Sequence, residues 1–145
     1  MKALIQRVKR ASVTIENELY SKIGAGLLVF LGVEKTDSEE NADKLVDKIS
    51  KLRIFEDENE KMNNSIMDVS GEMLVVSQFT LCGDCKKGTR PSFDAAAKPE
   101  DAVRLYEYFV EKVKSLNIPC QEGKFRAMMD VELVNDGPVT FLVEK

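Results

Sequence analysis

The chain has 145 residues, 43% of them apolar and 32% charged, with a net charge of −4. That length predicts one domain, and a chain near this size buries roughly 70% of its unfolded surface, enough for a core without metals or disulfides. The absence of histidine excludes every mechanism that needs imidazole as base or metal ligand, and the acidic balance excludes broad electrostatic capture of nucleic acid.

No apolar run approaches the ~20 residues needed to span a bilayer. The start, MKALIQRVKR, is charged where a signal peptide needs its apolar stretch. The expectation is therefore a cytosolic protein with no membrane association. Any RNA partner must be held by local positive patches. Lys2, Arg7, Lys9 and Arg10 form one candidate patch, and Lys86, Lys87 and Arg90 another.

Strands open the chain, over Lys2–Lys9 and Ser12–Glu16. Asn17-Glu18 is expected to turn the chain into Leu19–Ile23. Gly26–Val33 is a continuous apolar run, the mark of a strand buried on both faces. A helix follows, capped by Asp37 with Glu40 three residues on. Ala42, Leu45, Val46, Ile49 and Leu52 give it one apolar stripe. Glu56–Asn64 is polar and is expected to be a loop. Glu72–Thr80 reads as a buried strand.

Cys82–Lys98 reads as a long loop, and loops of that length in compact domains are often functional. Pro99 suits the first turn of a second helix, whose buried face is Ala102, Tyr106, Phe109, Val110, Val113 and Leu116. Ile118-Pro119 ends it. Phe125, Ala127, Met129, Val131 and Leu133 alternate with polar or exposed positions and predict a strand with these five on one face. Asn135-Asp136-Gly137-Pro138 is expected to be its hairpin turn, with Val139–Val143 as the return strand. The sum is α+β: a curled, barrel-like, mostly antiparallel sheet with two main helices packed on it, in a single domain.

Three constellations bear on chemistry. Cys82-Gly83-Asp84-Cys85 is a C-x-x-C, yet zinc needs four ligands and only Cys120 remains. No metal or other cofactor is expected. Ser77-Gln78-Phe79-Thr80 brings two hydroxyls and an amide to the end of a buried strand. A hydroxyl nucleophile needs a neighbouring base, and none is visible. Gly137-Pro138 removes a backbone donor where the return strand should start, and an X-Pro bond can be cis at a cost of about 0.5–1 kcal/mol.

Ser77–Leu81, then Lys87-Gly88-Thr89-Arg90-Pro91-Ser92-Phe93, then Val134-Asn135-Asp136-Gly137-Pro138-Val139-Thr140 occur in that order. Arg7-Val8 and Ala11-Ser12-Val13 precede them. Over essentially its whole length the chain resembles the D-aminoacyl-tRNA deacylases of the bacterial and eukaryotic type, also called D-tyrosyl-tRNA deacylases.

The resemblance implies an editing hydrolase that cleaves D-aminoacyl-tRNA, and glycine mischarged on alanine tRNA, and leaves L-aminoacyl-tRNA intact. It implies a homodimer whose sites lie at the interface, with tRNA as partner. Ser77, Gln78, Phe79, Phe125 and Met129 would bind the aminoacyl-adenosine end. Thr80 and the Phe79 N–H would assist the reaction. A cis Gly137-Pro138 would reject L-residues inside the partner's pocket, supported by Arg7. The terminal 2′-hydroxyl of the tRNA would orient the attacking water, which suits a chain without histidine. The sequence departs from the family where Phe-Gly-Ala-Asp-Met is frequent and this chain has Phe125-Arg126-Ala127-Met128-Met129. Two other readings compete: a non-catalytic tRNA-binding module and a C-x-x-C redox protein.

Overall fold

The computed structural model describes residues 1–145. Its organising strand is β1, Lys2–Ile15, in which the two predicted segments are continuous. One edge of β1 pairs antiparallel with β3, Gly26–Gly32, and then with β2, Glu18–Ile23. The other edge pairs antiparallel with β8, Asp130–Glu144. Parallel pairing extends the sheet from β3 to β6, Glu72–Ser77, and on to β7, Cys120–Glu122. The path β2-β1-β3-β6-β7 curls until its ends meet. There the Ser21 hydroxyl of β2 donates to the Glu122 carbonyl of β7 at 3.0 Å. The result is the expected nearly closed, mostly antiparallel barrel.

The barrel has two cores because β3 and β6 are buried on both faces. Leu28, Leu74, Val76, Val8 and Val13 fill the inside. Leu27, Val29, Leu31, Met73 and Val75 point outward beneath α1, Glu39–Lys51, and α2, Pro99–Ser115. Ala42, Leu45 and Ile49 of α1 and Leu105, Phe109 and Val113 of α2 meet that outer face. Phe109 is fully buried in this outer layer, and burying such a side chain contributes roughly 1.5–3 kcal/mol. Gly26 shows how closely β3 and β6 approach. A Cβ there would lie 1.8 Å from the Glu72 carbonyl oxygen, which no side chain can tolerate.

Several local expectations are corrected. The first turn is Glu16-Asn17, both left-handed at φ 51 and 63, as a two-residue hairpin turn requires; Asn17-Glu18 is one residue late. Ser38, not Asp37, caps α1, and its N–H donates to the Asn41 side chain at 2.9 Å. Asp37 instead accepts from the Met1 ammonium at 2.6 Å and from the Glu34 N–H at 2.7 Å. The polar stretch Glu56–Asn64 holds a small hairpin of β4, Phe55–Glu56, and β5, Met62–Asn64, with Asp57 collecting the turn's N–H groups. Leu105 takes the buried place expected of Leu116, which is exposed.

The largest correction lies near the C-terminal end. Asn135–Pro138 is not a hairpin turn, and no return strand exists. β8 runs straight through and stays on β1, from Thr14↔Asp130 to Lys2↔Glu144. Between Gln6↔Thr140 and Val8↔Asn135 the register slips, and the extra residues of β8 stand out as a bulge. A strand paired on this edge can bulge around a proline without losing its ladder elsewhere.

Candidate active site

β6 ends at Ser77, and the chain turns at once into a short 3-10 turn, Phe79–Cys82. The strand therefore stops before the expected Thr80. A cleft of about 670 Å³ opens at this point. Ser77, Gln78 and Phe79 form one side, with Val33 and Val76 at its floor. Phe125 through Met129, with Val131, form the other, and Ala97 with Pro99 and Ala102 of the start of α2 complete the lining. Ten of its fourteen lining residues are hydrophobic, and Arg126 is the only charged one. Such a pocket binds an apolar or planar group and orients it with a few polar atoms.

Second contacts hold both walls. Phe93 packs edge-on against Phe79, with ring centroids 5.1 Å apart. The Tyr106 hydroxyl donates to the Val75 carbonyl at 2.8 Å, and its ring lies 6.1 Å from that of Phe125. Burial holds the Tyr106 phenol protonated well above its ordinary range. Tyr106 thus fixes wall positions rather than titrating.

Of the residues singled out from the sequence, Ser77, Gln78, Phe79, Phe125 and Met129 line this one cleft. The wall 125–129 is not the expected strand. Lys124–Ala127 makes a turn, with the Ala127 N–H donating to the Lys124 carbonyl at 3.1 Å. Thr80 stands just outside the lining and is exposed; its hydroxyl accepts a hydrogen bond from the Gln78 amide. Phe79 and Thr80 open the 3-10 turn, so their N–H groups have no partner within it.

Gly137-Pro138 does not line the cleft of its own chain. The dipeptide sits in the β8 bulge, its peptide bond is cis, and Gly137 has φ 120. Arg7 moors the bulge from beneath. Only 5% exposed, it donates from Nε to the Asp136 carbonyl at 3.2 Å and from Nη1 to the Ile54 carbonyl at 2.8 Å. Glu56 and the Asp136 carboxylate flank it at 3.7 and 3.3 Å. Arg7 holds the carbonyl just before the dipeptide, and it belongs to no exposed basic patch. Lys2 leaves that patch too, because Glu34 and Glu144 pair with it. Sequence reasoning missed Ala97, Pro99 and Ala102. Pro99 signalled a helix start, but nothing in the sequence ties that start to the end of β6.

A family model described as D-Tyr-tRNA(Tyr) deacylase matches residues 4–144. The chain belongs to this family. It is 59% identical over 144 residues to a D-aminoacyl-tRNA deacylase of Koribacter versatilis, covering 99% of this chain and 97% of the relative. A protein of the same description from Pseudoalteromonas translucida is 60% identical over 141 residues, covering 97% of each. A solved structure described as c-Myc DNA Unwinding Element Binding Protein matches with a TM-score of 0.96 at 44% identity, covering 100% of this chain and 99% of that one. A probable eukaryotic D-amino acid tRNA deacylase has the same fold, with a TM-score of 0.85 at 17% identity and coverage of 99% and 98%.

In this D-Tyr-tRNA(Tyr) deacylase family member the three cysteines are all free. Cys82 is buried and donates to the Val33 carbonyl at 3.5 Å; burial pushes its thiol up. Burial pushes Cys120 up to about 12. The thiolate is the reactive form, so raised values make both sulfurs inert near neutral pH. Cys85 alone is exposed. Iodoacetamide at pH 8 is expected to alkylate Cys85 first, leave Cys82 and Cys120 largely unmodified, and preserve most activity, as read by peptide mass spectrometry and rate. A tenfold loss on Cys85 alkylation, or on Cys82→Ser with Cys85→Ser, would restore the redox reading.

Proposed function

We propose that this protein hydrolyses the ester linking a D-amino acid to the 3′ end of tRNA, releases both, and spares L-aminoacyl-tRNA. Membership in the deacylase family carries the reaction class. The apolar cleft that joins the end of β6 to Phe125–Met129 supports the place where it occurs. The substrates share a backbone and an adenosine but differ in side chain. A pocket that measured side chains would discriminate only about 10–200-fold per methylene. Selectivity over the abundant L-form therefore has to come from exclusion.

Gly137-Pro138 is suited to that exclusion, because a backbone wall has no rotamers to relax. It lies outside its own cleft, so the reading requires a second copy whose dipeptide closes each site. Light scattering is expected to give about twice the 16.3 kDa chain mass; a fully active monomer would refute the shared site. Glycine has no side chain to exclude, so glycine mischarged on alanine tRNA is a second substrate. An aminoacyl ester is already activated. On this reading the N–H groups of Phe79 and Thr80, which have no partner within the 3-10 turn, would stabilise its oxyanion.

The deciding experiment incubates purified protein with D-tyrosyl- and L-tyrosyl-tRNA and follows amino acid release. The D-ester should be cleaved at catalytic enzyme concentrations while the L-ester survives. Equal cleavage of the two, or none of either, would overturn the proposal.

A further inference from the structure

Arg126 is an arginine at a position whose backbone favours glycine. It is the third residue of the turn Lys124–Ala127, with φ 65, and turns of this kind usually place glycine there. Its side chain is exposed at the cleft wall. None of the molecule's ion pairs includes it.

A loop anchored beside the cleft carries a second group of free cations. Lys86, Lys87 and Arg90 are exposed and enter no ion pair either. They ride on a closed loop. The Asp84 N–H donates to the Ser92 carbonyl at 2.7 Å, and the Ser92 N–H donates back at 3.0 Å. Phe93, the next residue, is the one that packs on Phe79 of the cleft wall. The loop is thus pinned to the cleft at its base.

The cleft interior is apolar and cannot hold a phosphate. The molecule as a whole is acidic and repels a polyanion at long range. Within about 8 Å, the screening length at physiological salt, local cations decide. We propose that Arg126 and the loop carrying Lys86, Lys87 and Arg90 grip the phosphodiester backbone of the single-stranded RNA 3′ end as it enters the cleft. This inference rests on the deacylase reading for the ester beyond the grip, but the grip itself needs only RNA.

The test therefore has a binding arm and a kinetic arm. The binding probe is a fluorescent single-stranded RNA oligonucleotide ending in CCA, titrated by anisotropy across a range of salt. For every phosphate that a variant no longer neutralises, the log–log salt slope should become shallower by about 0.7. Arg126→Gly, which suits the turn, should show one such decrement, and Arg126→Lys should restore it. Lys86→Gln with Lys87→Gln and Arg90→Gln should flatten the slope by about 2.

The kinetic arm compares D-tyrosyl-tRNA with D-tyrosyl-adenosine, which has the same ester and no phosphate. Arg126→Gly should cost about tenfold more with tRNA than with the adenosine ester, the scale of one charged hydrogen bond. Slopes unchanged in every variant, or equal losses on both substrates, would overturn the grip. Altered slopes in a protein that cleaves neither ester would uphold the grip and sink the deacylase reading instead.

Discussion

A D-aminoacyl-tRNA whose terminal adenosine lacks its 2′-hydroxyl, acylated at the 3′ position, is expected to bind normally and be cleaved at least ~100-fold more slowly. The reason lies in what surrounds the ester. The chain has no histidine, and the cleft lining holds no carboxylate, lysine or cysteine. Thr80 offers a hydroxyl, but that oxygen is engaged by Gln78 and no base faces it. A positioned general base contributes 10²–10⁴-fold. On the deacylase reading proposed above, the tRNA hydroxyl beside the ester would orient and polarise the water. Thr80→Ala on the normal substrate should therefore lose less than the wild-type protein loses on the deoxy substrate. Single-turnover rates measure both. The reverse order, or an acyl group trapped on Thr80, would assign the chemistry to the protein.

Gly137→Ala is expected to lower kcat/KM for D-tyrosyl-tRNA about 100-fold, the scale of an ångström-sized misplacement at a site. The added Cβ would meet Val139 Cγ2 at 2.9 Å and Arg7 Nη2 at 3.0 Å. Its φ of 120 also lies in a region closed to L side chains, costing about 1–3 kcal/mol. Neither neighbour can retreat easily, because Val139 is buried with its N–H donated to the Asn135 side chain, and Arg7 is buried with both its carbonyl partners. The bulge must shift, and any wall it presents shifts with it. Gly24→Ala is the control: nothing lies within 4 Å of its added Cβ, and its rate should match wild type. Circular dichroism separates a moved bulge from an unfolded protein. A Gly137→Ala protein with normal rate and normal chiral preference would remove the dipeptide from the site.

Periodicity and punctuation reveal parts of this molecule unequally. The double burial of Gly26–Gly32 and the helix stripes were legible because each repeats one local rule over many residues. The shared face of Met129, Val131 and Leu133, which pack on the inner core, was also legible, but Phe125 packs on the outer core because its segment is a turn. What pattern could not see was pairing. Asn-Asp-Gly-Pro looks like a hairpin turn in any short window. It becomes a bulge only because β1 continues beneath it and holds both flanks. The three-residue β7 was invisible for the same reason, being a strand only by virtue of its neighbour β6. By charge alone Arg7 read as part of a basic patch, and only the resemblance tied it to the dipeptide, since nothing in a linear sequence shows that two backbone carbonyls will converge on it. The cleft's two main walls were found by resemblance, whereas its closure by the start of α2 depends on packing between distant segments.

The ladder between β1 and β8 joins segments more than a hundred residues apart in sequence. Contacts that far apart form slowly, because loop closure must precede any gain from pairing. Until residues 130–144 arrive, the long edge of β1 has no partner, and an open edge invites pairing with another chain. A newly made molecule therefore passes through a stage in which its most extensive strand is exposed to aggregation. The same pairing that ends this stage also sets the register of the bulge at Gly137. The dipeptide therefore cannot take its place before the sheet is completed.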